Sequence, residues 1–120
     1  MKRSILLAFA LATALLAADA VVTQATQLVT AKKFDEAIAL LDKSYKAKPT
    51  PELSKALASA SMAKADDAMY GNSLPPREKY PTALRTYRQV LKYDKANKKA
   101  QENIATIEGI YKQMGRPIPQ

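Results

Sequence analysis

The run FDEAIALLDKSYKAKP, residues 34–49, restricts the fold more than any other part of the chain. Phe34, Ala37, Ile38, Leu41 and Tyr45 recur at steps of three and four, the spacing that lines side chains up on one face of an α-helix. Asp35 and Glu36 fall in the first turn of that helix and Lys43, Lys46 and Lys48 toward its end, each sign where the peptide dipole favours it. Pro49 and Pro51 then prevent continuation, because proline lacks the amide hydrogen and restricts the residue before it. A helix this short cannot stand alone in water, so its apolar stripe requires a neighbour.

The rest of the chain supplies neighbours of the same kind. Val22, Ala25, Leu28 and Val29 predict a first helix over 21–33. Thr50-Pro51-Glu52 combines a hydroxyl cap, a proline at the first helical position and an acid in the first turn, and opens an alanine-rich helix over 51–69. The stretch Gly71-Asn72-Ser73-Leu74-Pro75-Pro76 breaks it. A fourth helix is expected over 80–94, with Tyr80, Ala83, Leu84, Tyr87, Val90 and Leu91 on one face and Pro81 in its first turn. The adjacent Asp66 and Asp67 read as a solvated helix end. A fifth helix over 97–114 carries Ala100, Ile104, Ile107, Ile110, Tyr111 and Met114, and Gly115 and Pro117 end it before an extended tail over 115–120. Five helices, no convincing strand and mostly short connections predict an all-α fold of antiparallel neighbours.

The first twenty residues have another purpose. Lys2 and Arg3 precede an apolar run from Ile5 to Ala18, and Ala18-Asp19-Ala20 places small residues where a signal peptidase reads them. The run is shorter than the ~20 residues that span a hydrocarbon core. The expectation is a signal peptide over 1–20, cleaved after Ala20, and a protein in the periplasm or the medium. With no cysteine in the chain, a lipid-modified N-terminus of the bacterial lipoprotein type is excluded and packing alone must hold the fold. Histidine is also absent, which removes the commonest general base and, with cysteine, the commonest transition-metal ligands. Only three glycines occur, too few for a glycine-rich phosphate loop. The sequence therefore predicts no enzyme, no cofactor and no metal. Its net charge of +8 leaves an anionic partner open, although export and the lack of a base-reading motif argue against nucleic acid.

Two segments echo one another. In FDEAIALLDKSYKAKPT and YPTALRTYRQVLKYDKAN, Phe34-Ala37-Ile38-Leu41-Ser44 lies over Tyr80-Ala83-Leu84-Tyr87-Val90, with Pro49 over Lys95. This pattern resembles the second helix of a tetratricopeptide repeat, whose aromatic, alanine, bulky, small and proline positions have these spacings. Ala25 and Leu28 take the family's small and ring positions in the preceding helix, and Ser59 and Met62 the corresponding places in the next unit. The resemblance implies an α-solenoid: a helix-turn-helix unit over 21–50, a second over 51–97 with an insertion near 69–79, and a capping helix over 97–114, so that the helical domain covers 21–114. The sequence departs from the family in that insertion, which moves the second aromatic from position 68 to Tyr80, and in Lys95, which replaces the terminal proline.

The resemblance also implies a binding face, the concave surface made by the first helix of each unit. Matching positions are Val22, Thr26, Val29, Leu53, Ala56, Ala60, Ala63, Lys64, Thr106 and Ile110, mostly small or apolar and suited to a partner helix or an extended peptide. The lysine and asparagine set with which some relatives hold a C-terminal carboxylate is not reproduced. Separately, Arg85, Arg88, Lys92 and Lys95, extended by Lys98 and Lys99, form a basic stripe that reads either as a solvated helix face or as a surface for an anionic glycan or a membrane. Two units and a cap fall short of the three repeats usual for the family, so apolar end faces pairing into a homodimer are a further alternative.

Overall fold

The computed structural model describes residues 18–120, which are all-α: five helices, with no strand among the described residues. They are α1 (18–30), α2 (Phe34–Ala47), α3 (Pro51–Tyr70), α4 (Pro76–Tyr93) and α5 (Lys98–Gln113). Most of the expected signal segment, residues 1–17, lies outside the described residues.

Helix ends follow local chemistry. The Thr50 hydroxyl accepts the Leu53 amide at 3.2 Å and the Asn97 side-chain oxygen accepts that of Ala100 at 2.9 Å, so α3 and α5 each begin with an occupied cap. At the end of α3, the Gly71 amide donates to the Asp67 carbonyl at 2.9 Å, and a β-carbon on Gly71 would lie 2.5 Å from that oxygen, so only glycine fits. Two helices end in the same hydrogen-bonded reversal. After α5, Gly115 (φ +66°) donates to Lys112 and Arg116 donates to Tyr111; after α1, Lys32 (φ +60°) donates to Val29 and Lys33 to Leu28. The left-handed residue is glycine in one and lysine in the other, and the lysine carries backbone strain.

Two boundaries differ from expectation. α4 begins at Pro76, a turn earlier than Tyr80, because the Pro75 carbonyl accepts the amides of Glu78 and Lys79 at 2.9 and 3.0 Å and Pro76 suits the first helical position. Pro81 is therefore inside the helix rather than in its first turn, and the Arg77 carbonyl lacks its usual donor. Because α3 reaches Tyr70, the connection narrows to residues 71–75, and most of the expected insertion over 69–79 is helical.

α3 is the common wall of two apolar clusters. Its Leu53, Leu57 and Ala60 pack with Ala25 of α1 and with Ala37 and Leu41 of α2. Its Ala58, Ala65 and Ala68 pack with Ala83, Leu84, Tyr87 and Val90 of α4 and with Ala100 and Ile107 of α5. Alanines on both sides of one helix let its neighbours approach closely, which explains why the middle helix is so alanine-rich and only weakly amphipathic. Tyr93 touches the rim of both clusters and stacks edge-on against Tyr45 at 6.2 Å, while its carbonyl accepts the Ser54 hydroxyl at 3.2 Å. That bond ties the start of α3 to the end of α4, and the Tyr87–Asp66 bond joins a later part of α3 to an earlier part of α4, so the two run antiparallel.

Asp66 and Asp67 are structural anchors and not a solvated helix end. Asp66 accepts the buried Tyr87 hydroxyl at 2.5 Å and lies 3.4 Å from the Lys99 ammonium, joining α3 to both α4 and α5. Asp67 accepts the Ser73 hydroxyl at 2.8 Å and pairs with Lys32 at 3.6 Å. Burial first, and then the bond to Asp66, push the Tyr87 phenol well above its ordinary range.

Candidate functional site

Among the described residues two grooves flank α3, and a third, polar and about 500 Å³, lies between α2 and α4. A groove of about 340 Å³ separates α1 from α3 and is lined by Val22, Ala25, Thr26 and Val29 on one wall and by Glu52, Lys55, Ala56, Ser59 and Ala60 on the other, with Leu41 beneath. A wider groove, about 790 Å³, lies between α3 and the α4–α5 turn; Ser54, Ala58, Met62, Ala63 and Asp66 form one side and Tyr93, Asp94 and Asn97 the other. Lys55 and Ser59 line both. α3 is thus a low ridge with an open hollow on each side, and its small side chains keep the ridge low.

The narrower groove has the chemistry of an apolar binding cleft. Residues 21–30 carry no charge, so its α1 wall is neutral in a chain of net charge +8. The Thr26 hydroxyl donates to the Val22 carbonyl at 2.8 Å and the Thr30 hydroxyl to that of Thr26 at 3.0 Å, so both are engaged within their own helix. Charge enters only from Glu52 and Lys55 on the α3 side. An apolar segment entering this cleft strands few polar groups.

Of the ten expected groove positions, Val22, Thr26, Val29, Ala56 and Ala60 line the narrower groove together, and Ala63 lines the wider one. The other four depart from the expectation. Leu53 is buried in the cluster with Leu41 and Leu57. Lys64 faces the opposite side, in a polar groove between α2 and α4, and pairs with Asp35 at 2.6 Å. The reason is angular: each residue turns a helix by about 100°, so Leu53 and Lys64, one step beyond the lining residues Glu52 and Ala63, point toward α2. Thr106 is exposed on α5 and donates to its own Glu102 carbonyl, and Ile110 is half-buried; neither reaches a groove. Ala25, Glu52, Lys55 and Ser59 line the narrower groove from outside the expected set, although the series 52, 55, 56, 59, 60, 63 is one continuous helical face. The walls contributed by the α4–α5 turn have no local signal, because only the tertiary fold brings them there.

The cations expected to form the basic stripe do not all face open solvent. Arg88 is half-buried and its guanidinium donates to the Pro119 carbonyl at 2.8 Å, and Lys99 pairs with Asp66. Lys92 lines the α2–α4 groove beside Asp35 and Asp42, while Arg85, Lys95 and Lys98 are exposed on α4, the turn and α5 respectively. Folding thus divides the six cations among different surroundings.

No described helix is long and apolar enough to cross a membrane. No family model, curated protein or solved structure matches the chain.

Proposed function

We propose that the chain is an exported, tetratricopeptide-like adaptor that holds an apolar segment of a partner protein, helical or extended, in the groove between α1 and α3. The observation that carries this reading is the open, neutral, small-residue cleft formed by Val22, Thr26, Val29, Ala56, Ser59 and Ala60. The helix order supports it: α1 with α2 and α3 with α4 read as two hairpin units of a short solenoid, with α5 as the capping helix. The signal pattern at the start of the chain supports a periplasmic or secreted location. The reading includes no catalysis, since the side chains around the cleft are apolar, small or singly charged.

Energetics set the kind of binding. Burying one valine- or leucine-sized side chain contributes about 1.5–3 kcal/mol, and the groove takes two or three. Roughly 3–9 kcal/mol, reduced by the cost of ordering the segment, limits the affinity to micromolar or weaker. Such an adaptor exchanges partners readily and gains strength when several copies act together.

A photoreactive side chain at Ser59, exposed on the ridge between the grooves, tests the proposal in cells producing the full chain. A discrete protein adduct is expected from position 59 and none from Thr106, exposed elsewhere on α5. Absence of an adduct at 59, or equal adducts at both positions, would overturn the proposal.

A further inference from the structure

The groove between α2 and α4 differs in chemistry from the two that flank α3. It is lined from α3 by Ser61, whose hydroxyl is fully buried and has no hydrogen-bond partner among the described residues. Buried polar atoms without a partner are rare in folded chains, so this one calls for an explanation. Around it, ion pairs engage four charged side chains of the same groove. Lys64 of α3 holds Asp35 of α2 at 2.6 Å, and Lys46 holds Asp42, one turn before it on α2, at 2.8 Å. Lys92 of α4 also lines the groove, is exposed, and forms no ion pair among the described residues. Three ammonium groups therefore stand against two carboxylates, which leaves a surplus of one positive charge at Lys92. Gln89 adds an amide from α4, and Ile38 and Tyr93 supply apolar wall.

We propose that this groove binds a small monoanionic sugar, a hexuronic acid, whose carboxylate pairs with Lys92 and one of whose hydroxyls supplies the missing partner of Ser61. The charge balance selects the class. A dianion such as phosphate would bring its second charge beside Asp35 and Asp42, and a cation would meet the surplus ammonium, whereas one carboxylate matches that surplus. The lining selects the rest of the ligand. Asp35 and Asp42 accept hydrogen bonds from ring hydroxyls, Gln89 both donates and accepts, and Ile38 and Tyr93 meet the C–H face of a pyranose ring. The volume of about 500 Å³ falls within the range of roughly 300–1,000 Å³ usual for small-molecule sites. Ser61 is closed off in the free chain, so the sugar reaches it as the long side chains of the groove, Lys64, Gln89 and Lys92, turn aside. The groove shares no lining residue with the cleft between α1 and α3, and the inference is independent of the partner proposed there.

The test titrates glucuronate and galacturonate in turn into the methyl-labelled chain. The Ile38 methyls should shift and saturate with at least one of the two, while Val22 and Val29 in the cleft stay in place. Glucose, which keeps the hydroxyls without the charge, and inorganic phosphate, which keeps the charge without the ring, should each bind about fivefold more weakly or worse. Lys92→Gln should weaken uronate binding about fivefold, and Ser61→Ala by about the same factor. Ser61→Ala also removes an unpartnered buried hydroxyl and should raise the urea midpoint, so weaker binding by that variant is not a folding defect. Ile38 methyls unmoved by both uronates, glucose or phosphate binding as tightly as the uronates, or either variant binding as tightly as wild type would overturn the proposal.

Discussion

Replacing Tyr87 with phenylalanine removes a single oxygen, and its effect follows from the structure. The Tyr87 side chain is fully buried and its hydroxyl donates to Asp66 at 2.5 Å. A hydrogen bond to a charged group is worth about 1.5–3 kcal/mol. The Asp66 side chain is 29% exposed and pairs with Lys99, so the carboxylate left behind can turn to water, which favours the lower part of that range. A loss of about 1.5 kcal/mol corresponds to a fall in Tm of roughly 6–12 °C for a domain of this size. The pH dependence gives a second readout. Burial, and next the bond to Asp66, raise the phenol's folded pKa, while in the unfolded chain it ionises near its ordinary value of about 10. The folded chain therefore binds more protons above that pH, and the contribution of Tyr87, complete below pH ~10, declines by up to about 1.4 kcal/mol per pH unit as the solution becomes more alkaline. Urea unfolding followed by circular dichroism at pH 7 and pH ~11 should show the difference between wild type and Tyr87→Phe shrinking toward zero at the higher pH. Equal stability at pH 7, or a gap unchanged at alkaline pH, would refute the role assigned to this bond.

The Ser61 hydroxyl is buried and has no hydrogen-bond partner among the described residues, so Ser61→Ala should stabilise the fold by about 1 kcal/mol, read as a higher urea midpoint. Lys32→Gly should relieve the strain of a left-handed lysine and gain about 0.5 kcal/mol in the same assay, because the exposed pair with Asp67 that it loses contributes little. Asn97→Ala should cost about 1 kcal/mol by uncapping α5, with Asn97→Asp close to neutral. A gain on uncapping, or a loss at Ser61, would contradict the local accounting.

The helices were legible because their signals are local. The stripe Phe34-Ala37-Ile38-Leu41 and the opening Thr50-Pro51-Glu52 each predict an element from a few adjacent residues, and the described chain has helices at both. The start of α4 has two competing local signals, since Pro81 fits a first turn opening at Tyr80 and Pro76 with Glu78 two residues later fits an earlier one, and the fold takes the earlier. Asp66 and Asp67 could not be read correctly from sequence, since Tyr87, Lys99 and Lys32 reach them only through folding. The groove was half legible for a related reason. Spacing identifies a helical face well but leaves its rotation uncertain by one residue, and one residue is enough to send Leu53 into the core and Lys64 to the opposite side. The tail, which folds back so that Ile118 packs against the cluster containing Leu84, Tyr87 and Ile107, had no signal beyond Ile118 itself, one apolar residue between two prolines.

The most direct test is to titrate the methyl-labelled chain with the partner segment recovered through the Ser59 adduct and to follow individual methyl resonances. Val22, Val29 and Ala56, which face the cleft between α1 and α3, should move together and saturate at one affinity, while Ile38 on the α2–α4 side and Ile118 in the tail stay in place. Shifts concentrated at Ile38 or Ile118, with the cleft methyls unmoved, would contradict the account.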